Sequence, residues 1–378
     1  MGSKTALLRG SLGELLLREA AQADRFIDLF SGSAAVSHYV AERLPISVLS
    51  VDAQEYSRPL AGAIVGRTCS LADSTFVADW VKRAADDAKA MPGFSAAIRA
   101  SRIPSKTSVT EARRLCRRSQ DGSGFIWRHY GGHYFSPYQA LVLDALYRNM
   151  PSAEPSASLA LAALLRTASR CAAAPGHTAQ PFQPTPALLP YLGAAWARDP
   201  LAECQDQLDQ LAPRHALKLG RAVTADCFAL VPTLREGDLA FCDPPYSAVQ
   251  YSRFYHVLEG MARGGWPLVS GAGRAPDGAL RIRSPYSMKS RALHTFAELL
   301  RLLSRAGVTV IVTFPAGIAS NGVSGRAIVE MAESWFHKKV HLLPSVHSTL
   351  GGPAGGGEAT RGARIALHEI ALELRPRR

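Results

Sequence analysis

Residues 26–36 read Phe26-Ile27-Asp28-Leu29-Phe30-Ser31-Gly32-Ser33-Ala34-Ala35-Val36, an apolar run, a turn of small residues and the start of a helical pattern. Small residues let a backbone come close to a ligand, and the helix N-terminus that follows favours negative groups. Twenty residues past Gly32 stands Asp52, at the end of the next apolar run. A carboxylate at that spacing suits hydrogen bonds to the hydroxyls of a nucleoside ribose. No Gly-Lys-Ser/Thr follows the turn, so a phosphate-cradling P-loop fits poorly. Taken alone, the pattern is equally that of an ordinary tight strand-to-helix turn.

Outward from this segment, short apolar runs recur at 25–30, 46–51, 222–225, 239–242, 308–314, 340–343 and 365–374. Near-continuous runs of this kind mark strands buried on both faces of a parallel sheet. Helical patterns lie between several of them, most clearly at 290–305, where Leu293, Phe296, Leu299, Leu300 and Leu303 share one face. Strands alternating with helices predict an α/β sheet of seven mostly parallel strands joined by crossovers. Between 66 and 220 the strand signal fades, and helical stretches at 76–90, 137–149, 158–174 and 201–211 are separated by links rich in proline and glycine such as 175–190. The chain therefore divides into a sheet domain, 1–66 with 221–378, and a helical insertion, 67–220. The glycines of 351–357 predict a flexible loop, because ordering them costs too much entropy.

Composition narrows the function. A length of 378 residues suits two domains, and 47% hydrophobic with 20% charged residues excludes a wholly disordered chain. Six cysteines with no C-x-x-C pair exclude a disulfide scaffold and a zinc ribbon, and a reducing cytoplasm is the expected compartment. No secretory signal is read, and no apolar stretch is long enough to span a bilayer, so no membrane partner is expected. Lys and Arg number 43 against 31 Asp and Glu, a net charge of +12 that fits a polyanionic partner.

The most specific stretch is Leu239-Ala240-Phe241-Cys242-Asp243-Pro244-Pro245-Tyr246. A given tetrapeptide of this composition arises by chance in roughly 0.1–0.2% of chains this long. Its place adds weight, because open α/β sheets bind ligands at the carboxyl ends of their strands. Two prolines stiffen the backbone and remove two N–H donors, leaving carbonyls to accept hydrogen bonds. A carboxylate, a bare carbonyl and an aromatic face on one rigid turn can grip a planar base carrying an amino group. The bland reading is a proline-stiffened strand exit, with Cys242 packed in the strand.

Here the chain resembles the Dam-like adenine-specific DNA methyltransferases, which use S-adenosylmethionine. Gly2-Ser3-Lys4 with Leu7-Leu8 resembles that family's N-terminal segment, Phe30–Ala34 its F-x-G-x-G cofactor loop, and Asp243–Tyr246 its D-P-P-Y tetrad. Gln250-Tyr251, Tyr255-His256-Val257-Leu258-Glu259, Tyr134-Phe135-Ser136 and Leu143-Asp144-Ala145-Leu146 resemble further stretches of one branch. Ala34 stands where the family has a second glycine. The resemblance implies a Rossmann-like methyltransferase sheet with a helical target-recognition insertion. It implies cofactor contacts from Lys4, Asp28, Phe30, Ser31, Gly32, Ser33, Ala34, Asp52, Asp226, Cys227 and Asp243, with Asp52 on the ribose and Asp226 on the adenine amino group. The catalytic set it implies is Asp243, Pro244, Pro245 and Tyr246. Asp243 and the Pro244 carbonyl would accept from the amino group of a flipped adenine, and Tyr246 would stack on it. No metal is needed.

The DNA surface is expected at Arg113, Arg114, Arg117, Arg118, Trp127, Arg128, Tyr130 and Tyr251, a mixture of cations and aromatics; a solvated basic helix face is the competing reading. His129 and His133 stand four apart, but Gly131-Gly132 between them and the lack of H-E-x-x-H argue against a metal site. The sequence thus points to a site-specific methyltransferase acting on N6 of adenine in double-stranded DNA, a class that includes partners of restriction endonucleases and defence systems. RNA or cytosine-N4 amino methylation, and an inactive DNA-binding protein of the same fold, are the alternatives.

Overall fold

The computed structural model describes residues 4–118, 124–347 and 365–377. The expected loop at 351–357 and the pair Gly2-Ser3 lie outside them. Nine strands are formed: β1 (Arg25–Asp28), β2 (Ser47–Asp52), β3 (Arg221–Thr224), β4 (Asp238–Cys242), β5 (Val269–Ser270), β6 (Ala275–Pro276), β7 (Thr309–Pro315), β8 (Phe336–His347) and β9 (Ile365–Pro376). Seven make one sheet in the order β3-β2-β1-β4-β7-β9-β8, and β5 and β6 pair as a small antiparallel ribbon. All seven apolar runs read from the sequence become strands of that sheet. β1 pairs in parallel with β2 and β4, and β4 with β7, while β9 runs antiparallel to both β7 and β8. The sheet is mixed but mainly parallel, as in a Rossmann-like fold.

The chain separates into two compact units, one of residues 54–224 and 252–282, the other of 2–53, 225–251 and 283–378. In the second unit β1 and β4 are central. Phe26, Ile27, Leu239, Ala240 and Phe241 are all but fully buried, each large side chain contributing about 1.5–3 kcal/mol on leaving water. Asp238, buried at the start of β4, is matched by a forked pair from Arg25, with Nε on Oδ1 at 2.8 Å and Nη2 on Oδ2 at 2.6 Å. That bidentate geometry offsets the cost of burying the charge. Helix Ala292–Arg305 packs Ala292, Phe296, Leu299, Leu300 and Leu303 inward. Leu293, expected on that face, is 43% exposed, because the buried stripe runs through 292 and 296, one residue round from it.

The unit of 54–224 with 252–282 is mostly helical. Its core holds Trp80, Trp127, Tyr130, Tyr134 and Phe135. Helix Pro137–Arg148 starts from a capping box. Ser136 Oγ accepts from the Gln139 amide at 3.2 Å, Gln139 Oε1 accepts from the Ser136 amide at 3.0 Å, and Pro137 needs no partner at the first position. No helix among the described residues is long and apolar enough to cross a membrane.

Candidate active site

At the carboxyl end of β1 the chain leaves the sheet at Leu29 and turns back through Ser31–Ala34 into helix Ala35–Ala41. Gly32 takes φ +49°, and its amide donates to Asp52 Oδ2 at 2.9 Å, so the turn is tied to the end of β2. Ala34 also takes a left-handed conformation, φ +63°. A side-chain-bearing residue is strained there by about 1–2 kcal/mol, which explains why a glycine would suit this position. Phe30 is half-buried and meets Tyr286 edge-on, with centroids 5.3 Å apart.

Asp28 lies beneath this turn and is 1% exposed. Ser37 Oγ donates to its Oδ2 at 2.7 Å, and Ser50 Oγ donates to Ser37 Oγ at 2.6 Å. Oδ1 has no hydrogen-bond partner among the described residues. Burial pushes this carboxyl up to about 7. The Ser37 bond opposes the rise, and the charges of Asp243 and Asp52 add to it. Asp226 caps the short helix Cys227–Leu230 by accepting from the Phe228 amide at 2.9 Å, and is otherwise exposed. Cys227 is buried beside Tyr286, with Sγ 3.7 Å from the hydroxyl.

The tetrad Asp243–Tyr246 leaves β4 at its carboxyl end, in the same unit as the 30–34 turn. Lys4 Nζ lies 3.0 Å from Asp243 Oδ1 and 2.9 Å from Glu369 Oε1. Thr313 Oγ1, from β7, donates to the same Oδ1 at 2.8 Å. Burial alone would lower the Lys4 ammonium, but the charges of Asp243 and Glu369 outweigh it and hold the ammonium well above its usual range. Asn321, 2% exposed, fastens the next residues. Its amide donates to the Tyr246 carbonyl at 3.3 Å, and its Nδ2 donates to the carbonyls of Pro245 at 3.4 Å and Tyr286 at 3.0 Å. Two acceptors are thereby left out: among the described residues nothing donates to Asp243 Oδ2 or to the Pro244 carbonyl. Tyr246 is half-buried, its ring edge-on to Phe314 at 6.1 Å.

The structure thus gathers Lys4, Asp28, Phe30–Ala34, Asp52, Asp226, Cys227 and Asp243–Tyr246 into one unit. The sequence reading missed Thr313, Asn321, Glu369 and Tyr286. Thr313 alone left a signal, as the polar residue inside the apolar run 308–314.

The expected DNA surface divides. Arg114, Arg117, Arg118 and Arg128 are exposed and Arg113 half-buried, while Tyr251 is half-buried at the start of helix Tyr251–Ala262. Trp127 and Tyr130 are 1% and 0% exposed. Both rings are core residues and present no face to a base, which corrects that expectation. Other stretches of the resemblance are spent on packing. His256 Nε2 meets the Gly273 carbonyl at 2.8 Å, Glu259 accepts from the Tyr56 amide at 3.0 Å, and Asp144 caps helix Phe125–Tyr130.

Comparison with known proteins adds partial likenesses. A stretch of 75 residues, 20% of this chain, is 43% identical to modification methylase LlaI of Lactococcus lactis subsp. lactis. A stretch of 84 residues, 22% of the chain, is 31% identical to modification methylase StsI of Streptococcus sanguinis. The matched stretches span only 12% and 13% of those relatives. No protein-family model matches the chain.

Proposed function

We propose that this chain is a site-specific DNA methyltransferase that uses S-adenosylmethionine to modify the N6 amino group of a flipped adenine. One observation carries the reading. In a turn where Asp243 Oδ1 and the carbonyls of Pro245 and Tyr246 are engaged, Asp243 Oδ2 and the Pro244 carbonyl are left without donors among the described residues. An exocyclic amino group brings two N–H donors, and these are the two oxygens that would receive them. Further support is the similarity, over part of the chain, to two proteins named modification methylases.

The residues present fit the cofactor. Asp28 keeps a buried oxygen without a partner among the described residues, next to the turn of small residues Ser31–Ala34. Phe30–Ala34 would line the methionine and ribose portions, Asp52 would accept from ribose hydroxyls, and the exposed Asp226 carboxylate, with Cys227 beside it, would receive the adenine amino group. When bound, S-adenosylmethionine supplies a methyl group activated by its sulfonium. The protein's part is orientation. Asp243 and Pro244 hold both amino hydrogens, which turns the nitrogen lone pair out of ring conjugation, and Tyr246 stacks on the base. Lys4 and Thr313 fix the carboxylate through its other oxygen, so the acceptor does not rotate away. The mostly helical unit, rich in exposed arginines, would carry the DNA, and a restriction endonuclease is a fitting partner for such an activity.

The test is transfer of a labelled methyl group to duplex DNA by the purified chain, alongside calorimetric binding of S-adenosylmethionine. Asp52→Ala weakens that binding by roughly 1.5–3 kcal/mol, the worth of a charge-assisted acceptor. A chain that neither binds S-adenosylmethionine nor gains melting temperature at saturating cofactor does not have this function.

A further inference from the structure

Helix Lys106–Arg118 buries Val109 and Ala112 against Leu192, Ala195 and Trp196 of its own unit. Arg113 and Arg117 follow at helical i, i+4 spacing on an adjoining face. Arg113 is half-buried. Its Nε donates to the Gly132 carbonyl at 3.0 Å and its Nη2 reaches Gln183 Oε1 at 3.4 Å. Arg274, also half-buried, comes from the ribbon of β5 and β6, and its Nε donates to the His129 carbonyl at 2.8 Å. Two guanidinium groups are therefore hung from carbonyls of one turn, 129–132.

That turn is close-fitting. Gly132 takes φ +71°, and a Cβ there would lie 2.7 Å from the Arg113 backbone nitrogen. Arg274 itself stands at φ +49°, a conformation that residues with side chains rarely adopt. The exposed Arg117 is close enough to act on both of the others. Among the described residues no carboxylate pairs with any of the three. Their mutual repulsion, after the larger effect of burial, lowers Arg113 and Arg274 from their usual range. The Nδ1 atoms of His129 and His133 are buried with no partner among the described residues, and burial together with the arginines pushes His133 down to about 3.

Like charges held together, with no carboxylate paired to them among the described residues, favour an anion that relieves them. With Nε spent on a carbonyl, Arg274 keeps both Nη groups and Arg113 keeps Nη1 as donors for a tetrahedral oxyanion. We propose that Arg113, Arg117 and Arg274 form a phosphate subsite that holds one backbone phosphodiester of the DNA. The assignment rests on the reading of this chain as a DNA-acting enzyme and adds to it a defined anchor, one of whose members comes from far along the chain.

The experiment compares Arg117→Gln, Arg274→Gln and Arg83→Gln with the wild type, Arg83 being an exposed arginine elsewhere on the same unit. Affinity for a short duplex DNA of mixed sequence is measured across salt concentration, together with the melting temperature of the free protein. Arg117→Gln and Arg274→Gln each lower affinity about three- to tenfold and reduce the salt slope by about one. Arg117→Gln leaves the melting temperature unchanged or higher, because repulsion is relieved. Arg83→Gln changes affinity less than twofold. If the wild type binds duplex but neither cluster variant alters the slope more than Arg83→Gln does, the subsite is wrong and the DNA reading stands. If both cluster variants lower the melting temperature with the slope intact, the arginines are structural and the proposal fails. A wild type that binds no duplex at all overturns the DNA reading and this proposal with it.

Discussion

Asp28 and Asp144 are buried carboxyls, one in each compact unit, and burial pushes both up to about 7. They differ in what their oxygens do. Asp144 spends both, Oδ1 accepting from the Ile126 amide at 3.0 Å and Oδ2 from the Trp127 amide at 2.8 Å. It replaces the missing turn at the start of helix Phe125–Tyr130 and has nothing left to offer. Asp28 accepts from Ser37 on Oδ2, and its Oδ1 has no partner among the described residues. Burial outweighs the hydrogen bonds at both, but those bonds come from two helix-start amides at Asp144 and from the Ser37 hydroxyl, with help from the Phe30 amide, at Asp28. The resemblance to a known family touches both residues, and their hydrogen bonds separate the helix-capping Asp144 from Asp28.

The sharpest way to break this comparison is pH. Unfolded, Asp28 ionises near 3.8; folded, it keeps its proton to about 7. Its contribution to stability is therefore fully present below about pH 4 and is lost as pH rises through about 7. Asp28→Asn is neutral throughout and escapes that loss. Denaturant melts of the two proteins should agree near pH 4 and diverge by as much as about 4 kcal/mol in favour of the variant near pH 8. A difference that does not change with pH would mean that Asp28 is not held proton-bound by burial.

The next effect separates the two residues directly. Near pH 5 both carboxyls are protonated in the fold, and the ionisation of the unfolded chain contributes equally to both, so it cancels from the comparison. Asp144→Ala then strands two buried amide N–H groups and costs roughly 2–4 kcal/mol. Asp28→Ala loses the Ser37 bond and the weaker help of the Phe30 amide and costs about 1–2 kcal/mol beyond its lost packing. Equal losses in the two melts would dissolve the distinction. The smallest effect is at Ala34. Ala34→Gly removes a left-handed alanine and should stabilise the protein by about 1 kcal/mol, read as a raised denaturation midpoint with unchanged slope.

Much of the sheet was legible because buried parallel strands need unbroken apolar runs, and β1, β4 and β7 have them. β8 was read only at 340–343, although it spans Phe336–His347. As an edge strand it is covered on fewer sides, and Lys338 and Lys339 interrupt its apolar character while guarding the edge. The tetrad was legible because its composition is rare and its place at a strand end is dictated by the fold class. Its supports were not. Asn321 lies 76 residues from the Pro245 carbonyl it holds, and no local pattern announces such a pairing. Trp127 and Tyr130 were misread because arginines beside aromatics look alike on a surface and in a core. The short helix settles it by turning Ile126, Trp127 and Tyr130 inward and Arg128 outward.

The central claim concerns which atom receives the methyl group. DNA from cells expressing this chain, digested to nucleosides and weighed by mass spectrometry, reports it directly. N6-methyladenine is expected with the wild type and none with Asp243→Ala, which lacks the carboxylate that orients the amino group. Methylcytosine without methyladenine, or methyladenine that persists in Asp243→Ala, would contradict it.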